Sequence, residues 1–106
     1  MIKLSALADL LNECFHKDDV RVTDVIIDGH WEEITDIIYN KILGILQLVT
    51  TRKGVNNKRV ISISRYNKIT HVNQINNKGL GINIITVTFK DGLVLDFRFT
   101  YGEVEE

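Results

Sequence analysis

Apolar residues change their spacing once in this chain, between Phe15 and Val20, and that change limits the folds open to it. Before it, "KLSALADLLNECFH" (residues 3–16) sets Leu4, Leu7, Leu10, Leu11 and Cys14 or Phe15 at helical intervals, with Lys3, Asp9, Asn12 and Glu13 on the other side. An amphipathic helix is predicted there. After it the apolar positions alternate: Val20, Val22 and Ile26 fall on one side of an extended segment, and Arg21, Thr23, Val25 and Ile27 on the other, up to the turn pair Asp28-Gly29. The stretches "KRVISISR", "KITHVNQI", "GINIITVTFK" and "LVLDFRFTY" read as four more strands, separated by "YN", "NNKG" and the hairpin signal Asp91-Gly92. Val87, Phe89, Leu93, Leu95, Phe97 and Phe99 supply side chains that pair across the last hairpin.

Residues 31–50 support two readings. Trp31, Ile34, Ile38, Ile42, Ile45 and Val49 lie on a helical stripe, which would make a second helix packed on a four-stranded meander. Heavy use of isoleucine, the central Gly44 and the extended look of "ILQLVTTR" before "KRVISIS" favour two strands instead. The preferred fold class is therefore α+β and mainly β. It has one N-terminal helix and about seven antiparallel strands in a strongly bent sheet or small barrel. Neither an internal repeat nor a low-complexity linker divides the chain. At 106 residues it reads as a single domain, 1–106.

Cys14 is the sole cysteine, which excludes an intramolecular disulfide and suits a small core hydrophobe. The chain lacks proline, so its turns fall to Gly, Asn and Asp. The longest apolar run is interrupted by Lys41, Gly44 and Gln47, too short to span a bilayer, and no secretory leader pattern opens the chain. A soluble, cytoplasmic protein is expected. Abundant Ile and Asn fit an AT-rich coding sequence, as in a low-GC bacterium or its phages.

Catalytic chemistry finds little support. In "DGHWEE", Asp28, His30 and Glu32 would point to one side of a strand and could in principle hold a divalent cation. The plainer reading is a solvated turn made by Asp28 and Gly29, with Trp31 anchoring it in the core. No second histidine lies close, so no metal site is assigned. His71 falls in an alternating strand and His16 at the helix C-terminus. Ser62 and Ser64 share a face, yet the chain contains no nucleophile elbow, Cys-His signature or phosphate-cradling glycine loop. The "GLG" at Gly79–Gly81 precedes a strand and not a helix, which removes the dinucleotide reading. No enzyme, no catalytic residue and no cofactor are expected.

"GILQLVTTRK" (Gly44–Lys53), "ISISRYNKITHV" (Ile61–Val72, matched from Ile63) and "INIITVTFKDGLVLDFRF" (matched over Ile84–Phe97) resemble the bacterial pleckstrin-homology-like domains over roughly half the chain. The resemblance implies a small PH-like barrel used as a non-catalytic scaffold for binding proteins or, less often, anionic head groups. The end of the chain departs from the family: "YGEVEE" leaves no room for the C-terminal helix that closes such barrels, and the N-terminal helix would have to cap instead.

Charge supplies the functional lead. Met1–Asp36 carries nine acidic and three basic residues, Ile37–Lys90 nine basic and no acidic, and Asp91–Glu106 five acidic and one basic. A formal net charge of −1 thus hides three blocks of opposite sign. In one reading the central strands present Arg52, Lys53, Lys58, Arg59, Arg65, Lys68 and Lys78 as a positive face for phosphates or an acidic protein. In the other, the acidic blocks neutralise the basic sheet within the monomer or between copies of a homo-oligomer. Nucleic acid ranks below protein as partner, because the basic block offers only Tyr39 and Tyr66 for stacking and no groove-entering helix pattern. Integral membrane association is not expected.

The sequence is best read as a non-catalytic binding module that recognises a macromolecule, foremost a protein, through a charge-segregated surface. Arg52, Lys53, Lys58, Arg59, Arg65 and Lys68 are its binding candidates, centred on the loop "RKGVNNKR". The alternative is a small phage or mobile-element inhibitor of a host protein whose acidic residues mimic phosphates: Asp18, Asp19, Asp24, Asp28, Glu32, Glu33 and Asp36. Nucleic-acid binding by the basic strands is the third reading.

Overall fold

The computed structural model describes residues 3–52 and 57–102. Helix α1 (Leu4–Phe15) is followed by β1 (Val20–Ile27), β2 (His30–Asn40), β3 (Ile45–Arg52), β4 (Lys58–Ser64), β5 (Ile69–Asn77), β6 (Ile82–Phe89) and β7 (Val94–Tyr101). The strands form one antiparallel sheet in the order β4-β3-β2-β1-β7-β6-β5, curled into a half-barrel. Two meanders, β1 to β4 and β5 to β7, are joined through the β1–β7 pair, so β4 and β5 are the free edges.

Strict alternation lines the inner face. Asn83, Ile85, Val87 and Phe89 of β6 and Leu95, Phe97 and Phe99 of β7 are buried, as are Leu46, Leu48 and Thr50 of β3. Against this face α1 buries Leu4, Leu7, Ala8, Leu11 and Cys14. The helix has no side-chain hydrogen bond at its N-cap, no acidic residue in its first turn and no basic one in its last. Local signals therefore do little for it, and packing into the half-barrel holds it helical.

Residues 31–50 form two strands and the turn between them, not a second helix. A bulge between Ile34 and Asp36 shifts the register of β2 against β3. Thr35 Oγ1 donates to the Val49 carbonyl across the bulge (3.1 Å), and the Ile37 N–H donates to Asp36 Oδ1 (2.9 Å). Inward positions therefore run Glu32, Ile34, then Ile37 and Tyr39. The helical stripe does not follow these inward positions. Of its members only Ile34 is buried, while Trp31, Ile38 and Ile42 are exposed.

Both Asp-Gly signals make turns. Asp28 (φ 51°) and Gly29 (φ 79°) are both left-handed, as a two-residue hairpin of type I′ requires. At Asp91-Gly92 only Gly92 is left-handed (φ 98°), and the Phe89 N–H reaches the Leu93 carbonyl at 2.9 Å around a three-residue loop. The β2–β3 and β5–β6 hairpins share a turn whose sequence repeats: Asn40-Lys41-Ile42-Leu43-Gly44 and Asn77-Lys78-Gly79-Leu80-Gly81. In each, the Asn Oδ1 accepts the Leu N–H, at 3.0 and 3.1 Å, and a left-handed Gly (φ 65° and 67°) leads into the next strand. Each turn thereby holds out one lysine beside an exposed leucine.

No helix among the described residues is long and apolar enough to cross a membrane.

Candidate functional site

The central basic block divides into two clusters at opposite ends of β4. Lys58 and Arg65 are separated by roughly 20 Å of extended chain.

The first cluster is inward-facing and surrounds Glu32, which is 0% exposed. Pairing across β2–β3 sets Glu32 opposite Arg52, and pairing across β3–β4 sets Thr50 opposite Arg59. Thr50 Oγ1 donates to Glu32 Oε1 at 2.6 Å, Arg59 Nη2 lies 2.9 Å from Oε2, and Arg52 Nη2 lies 3.9 Å from it. The Arg59 guanidinium meets Oε2 off-axis, so the contact is an ion pair by distance without an aligned hydrogen bond. Both arginine side chains keep half their surface in water. Two of the expected binding cations are thus counter-charges to a buried carboxylate from the acidic block, an intramolecular neutralisation that the reading of Arg52 and Arg59 as free contacts did not include. Lys58 is exposed, and Lys53 lies outside the described residues.

This arrangement also corrects the "DGHWEE" reading. Glu32 turns inward to Thr50 and Arg59, while Asp28 sits in the turn. Among the described residues no group of three His, Cys, Asp or Glu side chains is arranged to hold a metal ion. Trp31 does not anchor the core: it is 44% exposed on the outer face, where the Arg98 guanidinium stacks 5.2 Å from its ring centroid and pairs with Asp96 at 3.3 Å. Asp24 is buried too, so two of the seven carboxylates proposed as phosphate mimics, Asp24 and Glu32, are withdrawn from the surface.

The second cluster gathers where the β4–β5 turn meets the start of α1. Lys3, Lys41, Arg65 and Lys68 line a hollow of about 330 Å³ with Tyr39 and Ile69. An adjoining hollow of about 440 Å³ shares Lys68 and adds Tyr66, Phe89, Lys90 and Asp91. The Gly44 carbonyl accepts the Arg65 N–H at 2.8 Å, and Arg65 lies 5.3 Å from the Tyr66 ring centroid. Glycine is needed at this contact on two counts: φ is +65°, and a Cβ would stand 2.7 Å from Arg65 Cδ. Arg65 and Lys68 were expected at a binding surface. Lys3, Lys41 and Lys90 were missed because they are far apart in sequence, and only the repeated Asn-Lys-x-Leu-Gly turn could have drawn attention to Lys41.

The other end of α1 has a smaller counterpart. Lys17, Asp19, Asn76, Lys78 and Tyr101 line a hollow of about 180 Å³, and Lys17 Nζ stands 5.2 Å from the Tyr101 ring centroid. Beneath it, Asn83 Nδ2 donates to Cys14 Sγ at 3.3 Å, and Gln74 Nε2 donates to Asn83 Oδ1 at 3.1 Å. Burial pushes the Cys14 thiol up from 9.0, and burial pushes the Tyr101 hydroxyl up from 10.0 to about 12. The unfolded chain releases the Tyr101 proton near pH 10 and the folded one near 12, so between those values the folded state binds more protons. Stability should be unaffected by this group below about pH 10 and should fall as pH rises through that window. Urea midpoints at about pH 9 and pH 11 check this: the wild type should lose more than Tyr101→Phe does, and equal losses would show that the hydroxyl contributes nothing.

The chain matches no family model, no curated protein and no solved structure.

Proposed function

We propose that this protein is a non-catalytic binding module that recognises an acidic surface of another protein through its charge-segregated face. The observation that carries the reading is the cluster of Lys3, Lys41, Arg65, Lys68 and Lys90 around two adjoining hollows whose only acidic lining residue among the described residues is Asp91. Five cations brought from four separate points of the chain to one concave place raise the local potential and favour a negatively charged partner. The exposed Tyr66 beside Arg65 adds the residue types that dominate protein interfaces. The resemblance of Gly44–Lys53, Ile63–Val72 and Ile84–Phe97 to pleckstrin-homology-like domains supports the same reading, that of a scaffold which binds and does not transform.

Affinity capture of the tagged protein from bacterial lysate, with and without nuclease, followed by charge reversal on the purified pair, tests it. Lys41→Glu, Arg65→Glu and Lys68→Glu together should weaken the captured protein's binding by about a hundredfold and reduce its salt dependence. Loss from Asp18→Lys, Glu33→Lys and Asp36→Lys instead would favour the acidic-mimic inhibitor. Recovery of nuclease-sensitive material alone would favour nucleic acid. Binding indifferent to both sets would end the charge-based reading.

A further inference from the structure

We propose that the free edge of β5 takes up an extended, acid-flanked segment of the partner protein as an additional strand. This rests on the reading of the protein as a binding module and names how the partner is held.

The two edges of the sheet differ. β4 begins with Lys58 and Arg59 and is followed by Arg65, the charged positions that keep an exposed edge from pairing. β5 reads "ITHVNQINN", nine residues without a charge or a proline, and it pairs with β6 alone. Only Ile69 is buried and Val72 half-buried; the other seven residues are exposed, including Gln74 and Asn76 on the inner side and Ile75, 56% exposed, on the outer. Alternate backbone N–H and C=O groups of β5 therefore face outward along a strand with little cover on either face.

What lies at its two ends selects the occupant. At the start of β5, Lys68 and Lys90 line the 440 Å³ hollow; at its end, Lys17 and Lys78 line the 180 Å³ hollow. The strand thus runs about 30 Å between two pairs of lysines. A second copy of this chain fits poorly: edge-to-edge pairing of β5 with itself, in either orientation, brings Lys68 and Lys78 of each copy to those of the other, and each hollow sets two lysines against one carboxylate, Asp91 or Asp19, so like charge predominates at both ends. A foreign strand with an uncharged, alternating centre and carboxylates at both ends matches the edge in backbone and in charge. Main-chain hydrogen bonds would supply affinity, and the hollows would fix the register.

The test uses the full chain and a synthetic peptide of about ten residues, alternating Thr and Val with two Glu at each end, sized to the strand. Two further versions carry N-methyl groups on the amides of one edge or of the other. Strand addition blocks one isomer and spares the other, so their affinities should differ by about tenfold or more. The spared isomer should slow amide exchange at alternate residues of 70–77. Equal binding by the two isomers, or binding that leaves β5 amide exchange unchanged, overturns the inference; if that binding is still salt-sensitive and lost on Lys68→Glu, the basic surface stands without it. No binding of the unmethylated peptide also overturns it, and the basic surface is then judged by the charge reversals on the captured partner.

Discussion

Arg59→Ala should lower the free energy of unfolding by about 2 kcal/mol, because it leaves the wholly buried Glu32 carboxylate without its nearest cation. Truncating one partner of a buried pair generally costs about 3–5 kcal/mol. Here the estimate is lower because water reaches half of the Arg59 side chain and Arg52 stands in reserve at 3.9 Å. The double change Glu32→Met with Arg59→Met should recover most of the loss, since an apolar pair of similar volume needs no counter-charge. Urea unfolding of the wild type, Glu32→Met, Arg59→Met and the double variant gives the coupling directly. If Arg59→Ala stays within about 0.5 kcal/mol of the wild type, water and Arg52 satisfy the carboxylate, and the ion pair is dispensable to the fold.

Leu11→Ala should cost about 3 kcal/mol, the middle of the range for a buried leucine. Leu11 is 0% exposed and sits with Leu7, Ala8 and Cys14 on the face that α1 turns to the sheet. For a domain of this size that is a large share of the total stability, about 5–15 kcal/mol. The helix has few local supports, so weakening its contact should loosen its helicity as well, visible as far-UV signal lost before the sheet unfolds. A loss below about 1 kcal/mol would mean that α1 lies on the half-barrel without closing it.

Helix and strands were legible because their signals are local. Leu4, Leu7 and Leu11 recur at the helical period, Ile85, Val87 and Phe89 at the strand period, and Asp28-Gly29 and Asp91-Gly92 mark reversals with turn chemistry that needs no distant partner. The ambiguous segment 31–50 shows where that reading fails. The bulge at Thr35 exists only because β2 pairs with β3, and it shifts the burial pattern by one residue, so neither strict alternation nor the helical stripe matches the inward positions. Trp31 was misplaced for a related reason: hydrophobicity says that a tryptophan gains by burial, and only strand register says which face it occupies.

The candidate site divides along the same line. The sequence by itself determined that positive charge is concentrated between Ile37 and Lys90 and that Arg65 and Lys68 flank a turn between two strands, since composition and local pattern are properties of the chain alone. Tertiary structure decided what each charge does. Cross-strand register gave Arg52 and Arg59 to Glu32, 20 and 27 positions earlier in the chain, and the folding of α1 into the half-barrel brought Lys3 to Lys41, Arg65 and Lys68. It also decided that β5, and not another strand, ends the sheet beside two pairs of lysines. Coulomb energy and hydrogen bonding depend on separation in space, and in an antiparallel sheet that separation is set by register and strand order, which no local window of sequence contains.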